Sequence, residues 1–151
     1  MYKAFLVVIV CFFSCGDVFA QTSEDSVKTV VHNLFDAMRN SDSNVLVNCF
    51  SDSAIMQTIA KDKSGATIIK TEKTIDFAVA VKFASKGSLD ERINFDIVKI
   101  DGPLAIVWAP YKFYFDGKFH HCGVNSFQLV RTRSGWRIQY IIDTRRTQGC
   151  E

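Results

Sequence analysis

Between Thr22 and Asp42 the apolar residues Val27, Val30, Val31, Leu34, Phe35 and Met38 recur three and four positions apart. That is one continuous stripe at helical period. Thr22 or Ser23 can cap this helix, and Glu24 and Asp25 suit its positive end. A short second helix is expected from Asp42 or Ser43, turning Val45, Leu46 and Cys49 inward. The segments "SAIMQTIA" and "ATIIKT" flank "KDKSG" and read as a hairpin turned at Gly65. A third helix is expected from about Glu72 to Lys86, capped by Thr71 and stopped by Gly87. Ile75, Ala78, Val79, Lys82 and Phe83 would share its inner face, with Lys82 reaching out to water.

From Leu89 the period changes to two. "ERINFDIVKI", "LAIVWAPYKFYF", "KFHHCGVNSFQLV" and "WRIQYIIDT" read as strands joined by short turns. Asp116-Gly117 is a strong hairpin signal, because a type I′ turn needs positive φ at both positions. Helices followed by an antiparallel meander predict an α+β domain, with the helices on one face of a curved sheet.

A two-residue turn sets a register, in which Trp108 faces Asn125, Ile106 faces Phe127, Phe113 faces His120 and Lys112 faces His121. The next hairpin pairs Leu129 with Ile138, Phe127 with Tyr140 and Asn125 with Ile142, and brings His121 near Arg146. The core face would then carry Ile106, Trp108, Phe127, Trp136, Tyr140 and Ile142. It would end in a pocket of Trp108, Tyr114, His121, Asn125, Phe127, Tyr140 and Arg146. The other face would expose Tyr111, Phe113, Val124 and Ile141, an apolar patch suited to a homodimer. His120, Cys122, Asp143 and Arg145 fall on that outer face, Asp143 unless the last strand bulges. The two histidines then point opposite ways and form no metal clamp.

Composition adds three constraints. The segment 1–20 has Lys3, the apolar run "AFLVVIVCFF" and "VFA" before Gln21, which fits an export leader, leaving a single domain over 21–151. The expected location is secreted or periplasmic, with no membrane span after cleavage. "FFSC" ending at Cys15 is the rival lipid-anchor reading. A formal net charge of +2 supplies no basic stripe for nucleic acid. The thirteen Phe suit a core or an apolar cavity, and no spacing suggests a metal or cofactor.

After cleavage Cys49, Cys122 and Cys150 remain, an odd number. Cys49 reads as a buried free thiol. Cys122 and Cys150 are the candidate pair, since Gly149 lets the tail fold back. Closing a loop of that length is worth about 3 kcal/mol in the chain-entropy account.

The order of elements, with "DGKFHHCG", "FQLV" and "GWRIQYIIDTRR", resembles the nuclear transport factor two-like superfamily over residues 23–147, and within it the exported bacterial branch named for lumazine binding. The resemblance implies a cone-like sheet, a pocket between helices and sheet, and frequent dimerisation. Its enzymes use acid, histidine or tyrosine groups deep in the cone. Here His121 is the candidate acid-base residue, and Asp36, Glu72, Asp76 and Glu91 are carboxylates without an assigned place. The leading expectation is a non-catalytic pocket for a small apolar or aromatic ligand. The alternatives are a lyase or isomerase using His121 with a helix-borne carboxylate, and a structural dimerisation module.

Overall fold

The Asp25 amide donates to Thr22 Oγ1 at 3.1 Å while the Asp25 carboxylate receives the Thr22 amide, a capping box that starts helix α1 (Ser23–Asn40). These observations come from a computed structural model that describes residues 22–150. The leader, its cleavage site and the lipid-anchor reading at Cys15 lie outside the described residues. The stripe on α1 buries Val27, Val31, Leu34, Phe35 and Met38.

Helix α2 (Ser43–Asn48) follows with Asp42 as its cap. Leu46 and Cys49 are buried but Val45 is exposed, because so short a helix turns only a narrow face to the core. Strands β1 (Phe50–Lys61) and β2 (Thr67–Glu72) form the expected hairpin. Helix α3 (Thr74–Phe83) starts after Lys73, which makes no side-chain cap, so Thr71 is not the cap. It buries Ala78 and Val81, whereas Ile75, Val79 and Phe83 face water. A helix apolar all round gives periodicity nothing with which to choose a face.

Strands β3 (Leu89–Ile93), β4 (Ile97–Asp101), β5 (Leu104–Phe115), β6 (Lys118–Thr132) and β7 (Gly135–Thr144) complete one sheet. "ERINFDIVKI" is thus two strands, both paired with β5. The order is β2-β1-β7-β6-β5-β3, and β1 lies parallel to β7, so the curved sheet is mixed rather than wholly antiparallel.

Two bulges overturn the expected register. Asp116 and Gly117 take φ of 49° and 74° and hold the tight turn, with Phe115 opposite Lys118. One step later Tyr114 pairs with Phe119 but Phe113 pairs with His121, leaving His120 as the extra residue. Every β5 position beyond it changes partner, so Trp108 faces Ser126 and Asn125 faces Ala109. The second bulge separates Leu129↔Ile138 from Gln128↔Tyr140, with Gln139 extra. Its side chain is tied down by Ser51 Oγ at 2.7 Å and the Ser53 carbonyl at 3.0 Å on β1.

The faces therefore exchange. Ala105, Val107, Ala109 and Tyr111 of β5 are buried under the helices, while Leu104, Ile106 and Trp108 are on the outside. On β6, His121, Asn125, Phe127 and Leu129 point inward. On β7, Trp136 and Ile138 point inward before the bulge, and Ile141 and Asp143 after it.

Tyr111 and Gly123 are cross-strand partners, and the tyrosine ring lies across the glycine. A Cβ built on Gly123 would stand 1.7 Å from the Thr144 carbonyl oxygen and 2.8 Å from the Tyr111 ring. The residue must be glycine for this close approach, not for its φ.

Candidate functional site

The helices and the inner sheet face meet closely around Phe127, Leu129 and Ile138, and part toward the other end of the strands. There a cavity of about 170 Å³ opens. Leu34, Phe35 and Met38 of α1 and Phe77 of α3 form its helical side, with Phe113 and Ile141 on the sheet. Its polar lining comes from Gln57, Thr58, Glu72, Glu91, Tyr111, His121, Asn125, Asp143 and Arg145, so that of the four carboxylates left without a place Glu72 and Glu91 reach the cavity.

Asp143 is buried and well supplied with donors. Thr58 Oγ1 donates to Oδ1 at 2.5 Å, Arg145 Nε donates to Oδ2 at 2.8 Å, and the Tyr111 hydroxyl stands 3.1 Å from Oδ2. The same hydroxyl is 3.0 Å from the Thr144 carbonyl, so its proton serves one oxygen at a time. Burial first, then the Asp143 charge, moves the Tyr111 phenol far above its ordinary value.

Glu91 has a different environment. Its Oε1 accepts from Asn125 Nδ2 at 2.7 Å, the one hydrogen bond of its side chain among the described residues. Loss of water pushes this carboxyl up to about 7, with the Asn125 bond and Arg145 opposing and the Asp143 charge assisting. Three carboxyls thus line one cavity: Asp143 held by three donors, Glu91 held by a neutral amide, and Glu72, whose pKa burial raises.

His121 lies between the rings of Tyr111 and Phe113, at 5.5 and 5.1 Å between centroids. Burial first, then the nearby Arg145 and His120, lowers its pKa to about 4, with Asp143 opposing. Its Nδ1 is 2.8 Å from Nδ1 of His120, so one ring donates and the other accepts. The neighbouring histidines therefore touch rather than point apart, because His120 is the bulged residue. No carboxylate is hydrogen-bonded to His121 among the described residues.

Of the expected pocket residues, His121 and Asn125 line the cavity. Phe127 lies fully buried in the closed core. Trp108 is 44% exposed on the outer face. Tyr114 lies there under the Arg92 guanidinium, 4.2 Å from its centroid, and the Tyr140 hydroxyl donates to Gln57 Oε1 at 2.7 Å. Arg146 lines a neighbouring cleft. Tyr111, Phe113 and Ile141, expected at a dimer interface, line the cavity instead, and only Val124 of that set faces outward. The Cys122 and Cys150 sulfurs are joined at 2.07 Å, and Cys49 is a buried free thiol.

Glu91, Asp143 and Arg145 are the site residues that the strand pattern did not select. Leu89-Glu91-Ile93 did carry a signal, a carboxylate in the middle of an apolar alternation.

No protein-family profile matches the chain, and no curated protein matches it in sequence. Solved structures do. An NTF2-like protein of unknown function from Shewanella baltica superposes with a TM-score of 0.65 at 12% identity, over 82% of this chain and 93% of that one. This is the nuclear transport factor two-like fold. A cystatin-like domain of unknown function from Nostoc punctiforme gives 0.65 at 15% identity, over 86% and 82% of the two chains. A candidate dehydratase of the NTF2-like family from Streptomyces avermitilis gives 0.59 at 12%, over 82% and 95%. In NTF2-like terms, the cavity lies at the open end between the helices and the inner sheet face.

Proposed function

We propose that this chain is an exported small-molecule-binding domain of the nuclear transport factor two-like superfamily, in the branch named for lumazine binding. Its ligand has an apolar or aromatic body and one hydrogen-bonding end. The observation that supports this most is the division of the cavity. Aromatic and aliphatic side chains make its walls, while Asn125, Glu91 and the Asp143–Arg145 pair gather at one side. Native mass spectrometry of the protein from its own cell envelope should show a bound small molecule. Phe77→Trp, which fills the cavity, should remove it. A protein that emerges empty and takes up no apolar probe such as anilinonaphthalene sulfonate would count against the reading.

A second reading, a lyase or isomerase, is favoured by Glu91 rather than by His121. A carboxyl near pKa 7 in an apolar cavity can exchange a proton with a bound substrate. Under this reading Glu91→Gln keeps ligand affinity and abolishes turnover; under the binding reading there is no turnover to lose.

For the outer sheet face we propose a second copy as the occupant. Leu104, Ile106 and Trp108 alternate along β5, and Ile97 is the cross-strand partner of Trp108, all of them exposed. Ile106→Lys with Trp108→Glu should yield a monomer in sedimentation velocity. An unmodified protein already monomeric at high concentration would remove the dimer.

A further inference from the structure

On the outer face, three strands and the segment after β7 bring Arg92, Lys112, Cys122 and Arg146 into one line. Arg92 pairs with Lys112, Lys112 with Cys122, and Cys122 with Arg146 through an isolated bridge beyond β7. Directly paired residues share a sheet face, so three cations stand side by side around one half-cystine. They border a cleft of about 230 Å³ that Asn94 and Tyr111 also line, with no carboxylate among the lining residues.

Like charges placed opposite each other cost stability, and this sheet does little to relieve them. Arg92 has a partner outside the cleft, donating from Nε to Asp90 at 2.8 Å. Lys112 and Arg146 form no ion pair with a described residue, and Arg146 Nε reaches only the Gly149 carbonyl, at 3.3 Å. In a chain of net charge +2 this is a local concentration rather than a general basic surface. Arg146 is also held in place, its amide and carbonyl each bonded to Cys122 at 2.9 Å and its tail tied back by the Cys122–Cys150 bond.

We propose that this cleft is a binding site for an oxyanion, the carboxylate or phosphate group of a small solute, recognised by Lys112 and Arg146 with Arg92 at its edge. It is separate from the apolar cavity and lies on the far side of Tyr111, which borders both. The disulfide is part of the site, because it holds the segment that carries Arg146. A carboxylate or phosphate accepts paired N–H donors from a guanidinium and a point charge from an ammonium, which is what this line presents.

The test is a titration of the oxidised, isotope-labelled protein with inorganic phosphate and with malonate, ionic strength being held constant with chloride. Saturable amide shifts confined to the surroundings of Lys112, Cys122 and Arg146 are expected, and the tighter of the two anions names the preferred group. Lys112→Ala and Arg146→Ala should each weaken binding at least ten-fold, Arg146→Lys less so, and reduction of the disulfide should weaken it as well. Phosphate should raise the thermal midpoint of the wild type. Lys112→Glu should raise the anion-free midpoint and abolish the phosphate effect, a readout that does not depend on a damaged fold. Shifts that never saturate and appear equally at Lys61 and Lys70 would overturn the site, as would undiminished affinity in folded Lys112→Ala.

Discussion

The same three strands, β5, β6 and β7, build a dry end and a wet end within one sheet. At the dry end, Ala105, Leu129, Ile138 and Trp136 meet α1 with nothing polar between them, and Phe127 closes the layer edge-on to Phe35. At the wet end the inward positions are Tyr111, His121, Asn125 and Asp143, and the helices no longer fill the space above them. Both ends are hydrogen-bonded sheet, the wet end interrupted by the bulge at His120. What differs is whether an inward position carries an apolar group that excludes water or a polar one that needs a partner. The dry end supplies stability and the wet end spends some of it on a cavity.

Truncation separates the two ends most sharply. Phe127→Ala should cost about 4 kcal/mol in urea unfolding, the usual penalty for a fully buried aromatic. Phe113→Ala, at the cavity wall, should cost about 1 to 2 kcal/mol, because its neighbours already face open space. Equal costs would mean that the cavity is closed in solution.

Insertion should reverse that ranking. Gly123→Ala lies at the wet end, yet its new methyl points into the Thr144 carbonyl and not into the cavity. A loss of about 3 kcal/mol is expected from overpacking against backbone, read as a lower thermal midpoint. A neutral result would show that β7 can move away from β6 there.

Removing charge tests the electrostatics of the wet end. The folded pKa of Glu91 is raised to about 7 from 4.5, so between these values the folded state holds the proton that the unfolded state has lost. Stability should therefore fall as pH rises through that window, and remain lower above it. His121, depressed from 6.5 to about 4, works in the other direction. There the unfolded state takes the proton first, so stability falls as pH drops below 6.5 toward 4. Glu91→Gln should flatten the fall between pH 4.5 and 7 and gain about 3 kcal/mol at pH 8, a figure that follows from the size of the shift. A mutant with the wild-type pH profile would mean that the Glu91 carboxyl is solvated.

Smallest is Asn125→Asp. It replaces the Glu91 hydrogen-bond donor by a carboxyl, and about 1 kcal/mol should be lost at pH 5, more at pH 8. Chemical denaturation at the two pH values measures it. No pH dependence would place the Asn125 amide elsewhere.

Much of the architecture was legible because local patterns suffice for it. The α1 stripe, the β1–β2 hairpin, the Asp116-Gly117 turn and the α+β order each need only a few consecutive residues to be recognised. The site was half legible. His121 and Asn125 interrupt an apolar alternation on β6 itself, so their inward direction could be read on that strand alone. Trp108, Tyr114, Tyr140 and Arg146 depended on carrying the register across a turn, and each lost its place when one residue was inserted at His120 or Gln139.

What the chain determined by itself was therefore the list of elements, their periods, and the positions on β6 that must face inward. What only the tertiary structure decided was which face of β5 and of the end of β7 joins them. "LAIVWAPYKFYF" is apolar on both faces, so a slip of one residue carries little penalty that a local pattern could reveal. The choice was made by the two bulges, one of them pinned from β1 by Ser51 and Ser53, more than eighty residues away in the chain. Those bulges bring Tyr111, Asp143 and Glu91 to one cavity, because contacts between distant strands outweigh the nearly balanced preferences of a strand apolar on both sides.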